Sequence, residues 1–142
     1  MALSLQTEVA DYLAHQHVMT LATQGNDGPW AAALFYARDG DDLIFLSSPS
    51  SRHCQNLALQ PRCAATIQGD CMEWRDIKGI QIEGVARETT GTQASRARTL
   101  YGARFPFVQP GLAPATIALA LQRVRWYRLQ MTRLYFVDNQ RG

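Results

Sequence analysis

Apolar and polar residues follow one another along this chain in two rhythms, one helical and one extended. Over residues 4–16, Leu5, Val9, Tyr12 and Leu13 recur at the spacing of one helix face, and Ser4 is placed to cap it. The rhythm then changes. His17 to Thr23 reads as a strand, Gln24-Gly25-Asn26-Asp27-Gly28 as a turn, and Trp30 to Ala37 as a second strand. Arg38-Asp39-Gly40-Asp41-Asp42 makes a tight connection to a third strand, Leu43 to Ser47. Strands separated by short polar turns predict a meander of antiparallel hairpins. The first two strands are apolar on both faces, which places them inside a barrel or beneath helices.

Ser50 or Ser51 then caps a helix of about nine residues that buries Cys54, Leu57 and Ala58 and stops at Pro61. Arg62 to Gly69 is a fourth strand and Asp76 to Glu88 a long fifth one. There Ile80 and Ile82 alternate with Gln81 and Glu83, so one face is wet or lines a site, and Gly84 marks a bulge or a close approach. Thr92 to Arg104 reads as a helix with Ala94, Ala97, Leu100 and Tyr101 inward, ended by Phe105-Pro106-Phe107. A loop from Pro110 to Ala115 leads to a helical turn or two over Thr116 to Leu121. Val124 to Met131 and Arg133 to Asp138 close the chain as two aromatic-rich strands. The fold class is mainly β with short helices: a small antiparallel, Greek-key-like β-barrel, closed or partly split, as one domain over residues 1–142.

Composition narrows the function. With 46% hydrophobic and 18% charged residues the chain is globular. No apolar run approaches the ~20 residues that span a bilayer, and the start lacks a secretory signal. Fourteen Lys+Arg against 12 Asp+Glu leave a net charge of +2, too small to argue for nucleic acid. Lys78 is the one lysine, and the clusters Arg96/Arg98/Arg104 and Arg123/Arg125/Arg128 read as solvated faces. Three cysteines, Cys54, Cys63 and Cys71, without a CxxC pair argue against a disulfide framework or a metal site. They fit a reduced, cytoplasmic protein, with Cys54 and Cys63 as small core residues.

Candidate chemistry gathers at Ser47-Ser48-Pro49-Ser50-Ser51-Arg52-His53. Hydroxyls, unpaired N–H groups and an arginine fork meet at one helix start, which suits a phosphate. An ordinary serine cap beside a solvated Arg–His pair reads the same residues equally simply. Ala31, Ala32 and Ala33 are small where strands carry bulk, so either a flat ring lies against that backbone or a helix packs there. Lys78 stands near a sheet entrance, where it could face an anion. No acid–base or nucleophile constellation stands out, so catalytic residues are unassigned and a cofactor is the natural carrier of any chemistry.

Phe45-Leu46-Ser47-Ser48-Pro49-Ser50-Ser51-Arg52-His53, Asn56-Leu57, Pro61-Arg62 and the strand Lys78 to Arg87 occur together and in order. In this the chain resembles the FMN-binding split-barrel proteins related to pyridoxamine 5′-phosphate oxidase, over about residues 10 to 90. Arg104-Phe105-Pro106 and Phe136-Val137-Asp138-Asn139 resemble a short, poorly characterised branch rather than the oxidase itself. The resemblance implies a homodimer with two FMN sites at its interface. It implies that Leu46 and Ser47 contact the flavin, that Ser51, Arg52 and His53 hold its phosphate, and that the backbone from Ala31 through Ala33 to Tyr36 runs along the isoalloxazine ring. Three departures stand out: His53 where a lysine is common, Ala31 where the oxidase is basic, and Gly79 where it has glutamine, with Lys78 a partial substitute. They leave heme or a deazaflavin as alternative ligands. The implied activity is an oxidoreductase that exchanges electrons between a nicotinamide cofactor or oxygen and a small molecule, not pyridoxamine phosphate oxidation. The alternative is a non-catalytic flavin or heme carrier or sensor.

Overall fold

The computed structural model describes residues 6–109, 111 and 114–141. Ser4 and Leu5, and Pro110, Leu112 and Ala113 of the expected loop, lie outside the described residues. Helix α1 (Thr7–His15) starts after an extended Gln6 and buries Val9 and Leu13. Seven strands follow: β1 (Val18–Gly25), β2 (Gly28–Phe35), β3 (Ala37–Asp39), β4 (Asp42–Ser47), β5 (Arg62–Gln68), β6 (Lys78–Glu88) and β7 (Arg125–Asp138). They form one antiparallel sheet in the order β2-β1-β5-β6-β7-β4-β3. Its two ends, β2 and β3, are consecutive in sequence with Tyr36 alone between them. A sheet whose edges are joined by one residue must curl until those edges meet, which produces the split barrel. Tyr36 is fully buried at the joint, and its hydroxyl donates to the Leu13 carbonyl at 2.7 Å.

Three helices pack around the sheet: α2 (Arg52–Leu59), α3 (Gly91–Arg104) and α4 (Ala115–Leu121). The core fills the barrel with Leu13, Met19, Leu21, Phe45, Ile67, Ile80 and Leu129, among others. A second cluster of Ala37, Tyr101 and Phe105 lies under α3.

Four expectations change. The second strand ends at Phe35, because Tyr36 breaks it and Ala37–Asp39 turns back onto β4 through Gly40 at φ +61°. Its outer face is exposed rather than covered: Ala31, Ala33 and Phe35 face out, with Phe35 45% accessible. Apolar content there reflects an open sheet edge, not a strand buried on both faces. The two closing strands are one strand of 14 residues, in which Glu83 faces Arg133 and Gly84 faces Met131, leaving Thr132 unpaired. That bulge reverses which residues point inward, from Tyr127, Leu129 and Met131 to Leu134 and Phe136, and so mimics a break in the pattern.

The basic clusters are also not simply solvated. Arg96 and Arg128 each reach Asp39 at 2.8 Å, and Arg128 reaches Asp42 at 2.9 Å. This network ties α3 and β7 to the β3–β4 hairpin. The Arg96 guanidinium, with Arg128 beside it, holds the Asp39 carboxyl at about 2, against the opposing effect of burial. Because the folded value lies below the unfolded one of about 3.9, Asp39 stabilises the fold at higher pH. That contribution is lost as pH falls from about 4 toward 2. Asp39→Asn is expected to flatten this part of the acid-unfolding profile, followed by urea midpoints at each pH. Parallel slopes for variant and wild type between pH 4 and 2 would contradict the assignment.

Candidate functional site

The site begins where β4 ends. After Ser47, the turn Ser48 to Ser51 leads into α2, and Ser51 is the residue that caps it. Its hydroxyl donates to the Ser48 carbonyl at 2.7 Å and accepts from the Cys54 N–H at 3.3 Å. The N–H groups of Arg52 and His53 have no partner among the described residues. Two free donors and the positive end of the helix dipole therefore point out of this turn. The helix is anchored from behind, where Asn56 Nδ2 donates to Thr23 Oγ1 at 3.0 Å.

His53 turns inward. It is buried, with Nε2 at 2.8 Å from Ser47 Oγ and 3.3 Å from Ser51 Oγ. Ser51 has given its one hydroxyl proton to the Ser48 carbonyl, so its contact with His53 requires Nε2 to carry the ring proton. Ser47 then accepts from His53 and keeps its own proton to donate. Burial pushes the His53 ring below its ordinary value, so it is neutral at pH 7. The His53 ring therefore lies against Ser47 and adds no charge to the turn, while its backbone N–H stays unpaired among the described residues.

Arg52 supplies the charge. Its guanidinium lies 4.3 Å from the Trp30 ring centroid and gives one N–H to the Asp27 carbonyl at 3.2 Å. A guanidinium has five donors, so most of the fork stays free. Trp30, 42% accessible, is the platform for this arginine. It places Arg52 over β2, an edge strand that pairs only with β1. The outer backbone edge of Ala31 to Phe35 has no ladder partner, and β2 also approaches β4 across the seam of the barrel. Leu46, half-buried, packs on the Tyr101–Phe105 cluster beside Trp126.

The structure thus gathers Ser47, Ser51, Arg52 and His53 at one end of the barrel, beside the strand that carries Ala31 and Ala33. Lys78 stands apart. It starts β6, whose other end, Glu88, lies nearer the Ser47 side, and its ammonium sits 5.9 Å and 5.6 Å from the rings of Tyr12 and Phe136. Within one chain it does not join the turn.

A profile of the family described as pyridoxamine 5′-phosphate oxidase matches residues 5–137. The chain belongs to this family. Among its relatives, a UPF0306 protein of Photorhabdus laumondii is 32% identical over 133 residues, covering 92% of this chain and 85% of that one. The fold is shared with HutZ, the heme storage protein of Vibrio cholerae, at a TM-score of 0.76 and 21% identity, covering 94% of each chain. It is shared as well with an FAD-binding protein of Mesorhizobium loti at a TM-score of 0.68 and 19% identity, covering 93% of this chain and 94% of that one. This member of the pyridoxamine 5′-phosphate oxidase family is therefore a split barrel of the poorly characterised UPF0306 branch. Among the described residues, no helix is long and apolar enough to cross a membrane.

The sequence reading missed one residue that ties α1 to the joint of the barrel. Arg104 of this family member donates to the carbonyls of Tyr36 (3.0 Å), Leu13 (3.4 Å) and Ala14 (3.2 Å), and to that of Gln16. Its guanidinium also lies 4.9 Å from the Tyr36 ring centroid. One cation closes the C-terminus of α1 and the joint between the sheet edges. The only sequence signal was its place in Arg104-Phe105-Pro106, at a helix end.

Proposed function

We propose that this chain is an FMN-binding flavoprotein that acts as a homodimer and exchanges electrons between a nicotinamide cofactor or oxygen and a small molecule. The observation that carries the reading is the α2 turn. Two free N–H groups, the Ser47 hydroxyl and the unspent donors of Arg52 converge beside an unpaired strand edge. This donor set fits a phosphate monoester joined to a flat ring. The Arg52 and His53 N–H groups with the Arg52 fork would hold the phosphate, and Ser47 and Leu46 would border the ring. The small Ala31 and Ala33 let a ring approach the β2 backbone, whose free N–H and C=O groups can read its edge. Bound FMN supplies reversible electron transfer; the protein binds, orients and shields it.

The dimer is supported by the sheet face that carries Ala31, Ala33 and Phe35 from β2 with Val18 and Ala22 from β1. It is broad, low in charge and uncovered in one chain, and a second copy would bury it. Pyridoxamine phosphate is not the proposed substrate. Three free thiols support a cytoplasmic location.

The test is an FMN fluorescence-quenching titration with the mass in solution measured alongside. Wild type is expected to bind FMN as a particle twice the 15.9 kDa chain. Arg52→Ala is expected to weaken binding about tenfold, ~1.4 kcal/mol, with the mass unchanged. Equal affinity in the variant would remove the site assignment, and a monomer would remove the interface. A second reading, a non-catalytic flavin or heme carrier, is favoured by the fold shared with HutZ, the heme storage protein of Vibrio cholerae. Bleaching of the bound chromophore by a reduced nicotinamide supports the enzyme. A chromophore that stays oxidised supports the carrier.

A further inference from the structure

A cavity of about 530 Å³ lies between α3, α4 and the start of β7, whose Arg125 is the register partner of Ser47. Its volume is within the range that takes a drug-sized ligand. Val108, Leu121, Val124 and Trp126 give it apolar walls, and Arg98 and Arg125 stand at its border. The indole of Trp126 is fixed by an edge contact with Tyr101, at 5.2 Å between centroids and 71° between planes. No carboxylate lines the cavity, and among the described residues neither Arg98 nor Arg125 has an acidic partner. Arg125 gives one N–H to the Val124 carbonyl at 3.1 Å and keeps the rest. The fold has brought together one arginine from each basic cluster of the sequence, while Arg96, Arg104 and Arg128 spend their charge on Asp39, Asp42 and backbone carbonyls.

We propose that this cavity binds a small organic anion, an apolar or aromatic body carrying a carboxylate, sulfonate or phosphate, with Arg98 and Arg125 holding the charged group against the Trp126 wall. Two uncompensated guanidiniums over an apolar pocket select for both halves of such a molecule. A neutral apolar compound leaves the charges unmatched, and inorganic phosphate leaves the walls wet. The larger cavity beside α1, about 630 Å³, does not offer this, because Arg104 at its border spends its charge on four carbonyls and leaves Arg38 as the single available guanidinium there. The proposal does not depend on flavin binding at the α2 turn. If that binding holds, the cavity lies on the same end of the β4–β7 ladder, since Arg125 is the register partner of Ser47, and the organic anion becomes the substrate class.

The test uses 8-anilinonaphthalene-1-sulfonate as the anion and N-phenyl-1-naphthylamine as its uncharged counterpart, titrated by fluorescence into the full chain without added flavin. The sulfonate is expected to bind at one site. Arg98→Gln and Arg125→Gln should each weaken it about tenfold, and Arg125→Lys should retain most of the affinity. Binding of the uncharged compound should not change. Arg38→Gln, at the other cavity, should have no effect. Absence of sulfonate binding, equal affinity in the Arg98/Arg125 double variant, or loss on Arg38→Gln would each overturn the proposal. FMN affinity, measured separately with Arg52→Ala, reports on the α2 turn alone, so the two readings can fail independently.

Discussion

Arg104→Met is expected to lower the unfolding free energy by about 3 kcal/mol, the sum of lost charge-assisted hydrogen bonds and of carbonyls left dry. In a chain of this size that is a fall in Tm of roughly 9–12 °C. The methionine stem can still lie on Tyr36, so the loss isolates the guanidinium rather than the packing. Arg104 meets the carbonyls of Leu13, Ala14 and Gln16, at and just beyond the end of α1, where no further helical N–H can serve them. A cation there also opposes the negative end of the helix dipole. Its fourth partner, the Tyr36 carbonyl, belongs to the residue that joins β2 to β3. Calorimetry decides the matter: a Tm within about 3 °C of wild type would mean that water replaces the arginine at no cost.

Gly84→Ala should be nearly as damaging, at about 2–3 kcal/mol. A methyl group on Gly84 would sit 2.5 Å from the Gln130 carbonyl oxygen and 3.0 Å from Leu129 Cδ2. The first neighbour is backbone and the second is a fully buried core side chain, so neither can give way cheaply. The strands of the β6–β7 ladder must separate just where Thr132 is looped out and its hydroxyl donates to the Glu83 carbonyl at 3.0 Å. Urea unfolding should show a reduced midpoint with an unchanged slope. An alanine variant as stable as wild type would show that the bulge relaxes freely.

Gly84 was legible in the sequence because a glycine amid alternating apolar residues has few reasons to be there. The bulge partner was not, since Thr132 looks like any exposed polar residue. Local signals of this kind placed most elements: the α2 cap at Ser51, the β3–β4 turn at Gly40, the helix ending at Arg104. What they could not supply was pairing between distant segments. Nothing in Trp30 to Ala37 says that its first part pairs with β1 and its last residue with β4. Exposure of β2 was hidden for a related reason, because an apolar face open to solvent has the same residues as a face in the core. At the candidate site, the sequence named the turn and its arginine correctly as neighbours. It could not tell that His53 points at Ser47 or that Arg52 rests on Trp30, because rotamers are set by packing from other strands. Lys78 shows the converse: its position near a strand start was read correctly, but the strand is long and carries it to the other end of the barrel.

The place of β7 in the sheet has a consequence for how the protein is made. Residues 125–138 are made after every other strand described above, yet they pair with β6 on one side and β4 on the other. Until they emerge, the nascent chain holds two hairpin-rich halves whose inner edges, β4 and β6, have open hydrogen-bonding groups and no mate. Closure therefore waits for residues 125–138, and a message truncated before codon 125 encodes two sticky edges rather than a smaller barrel.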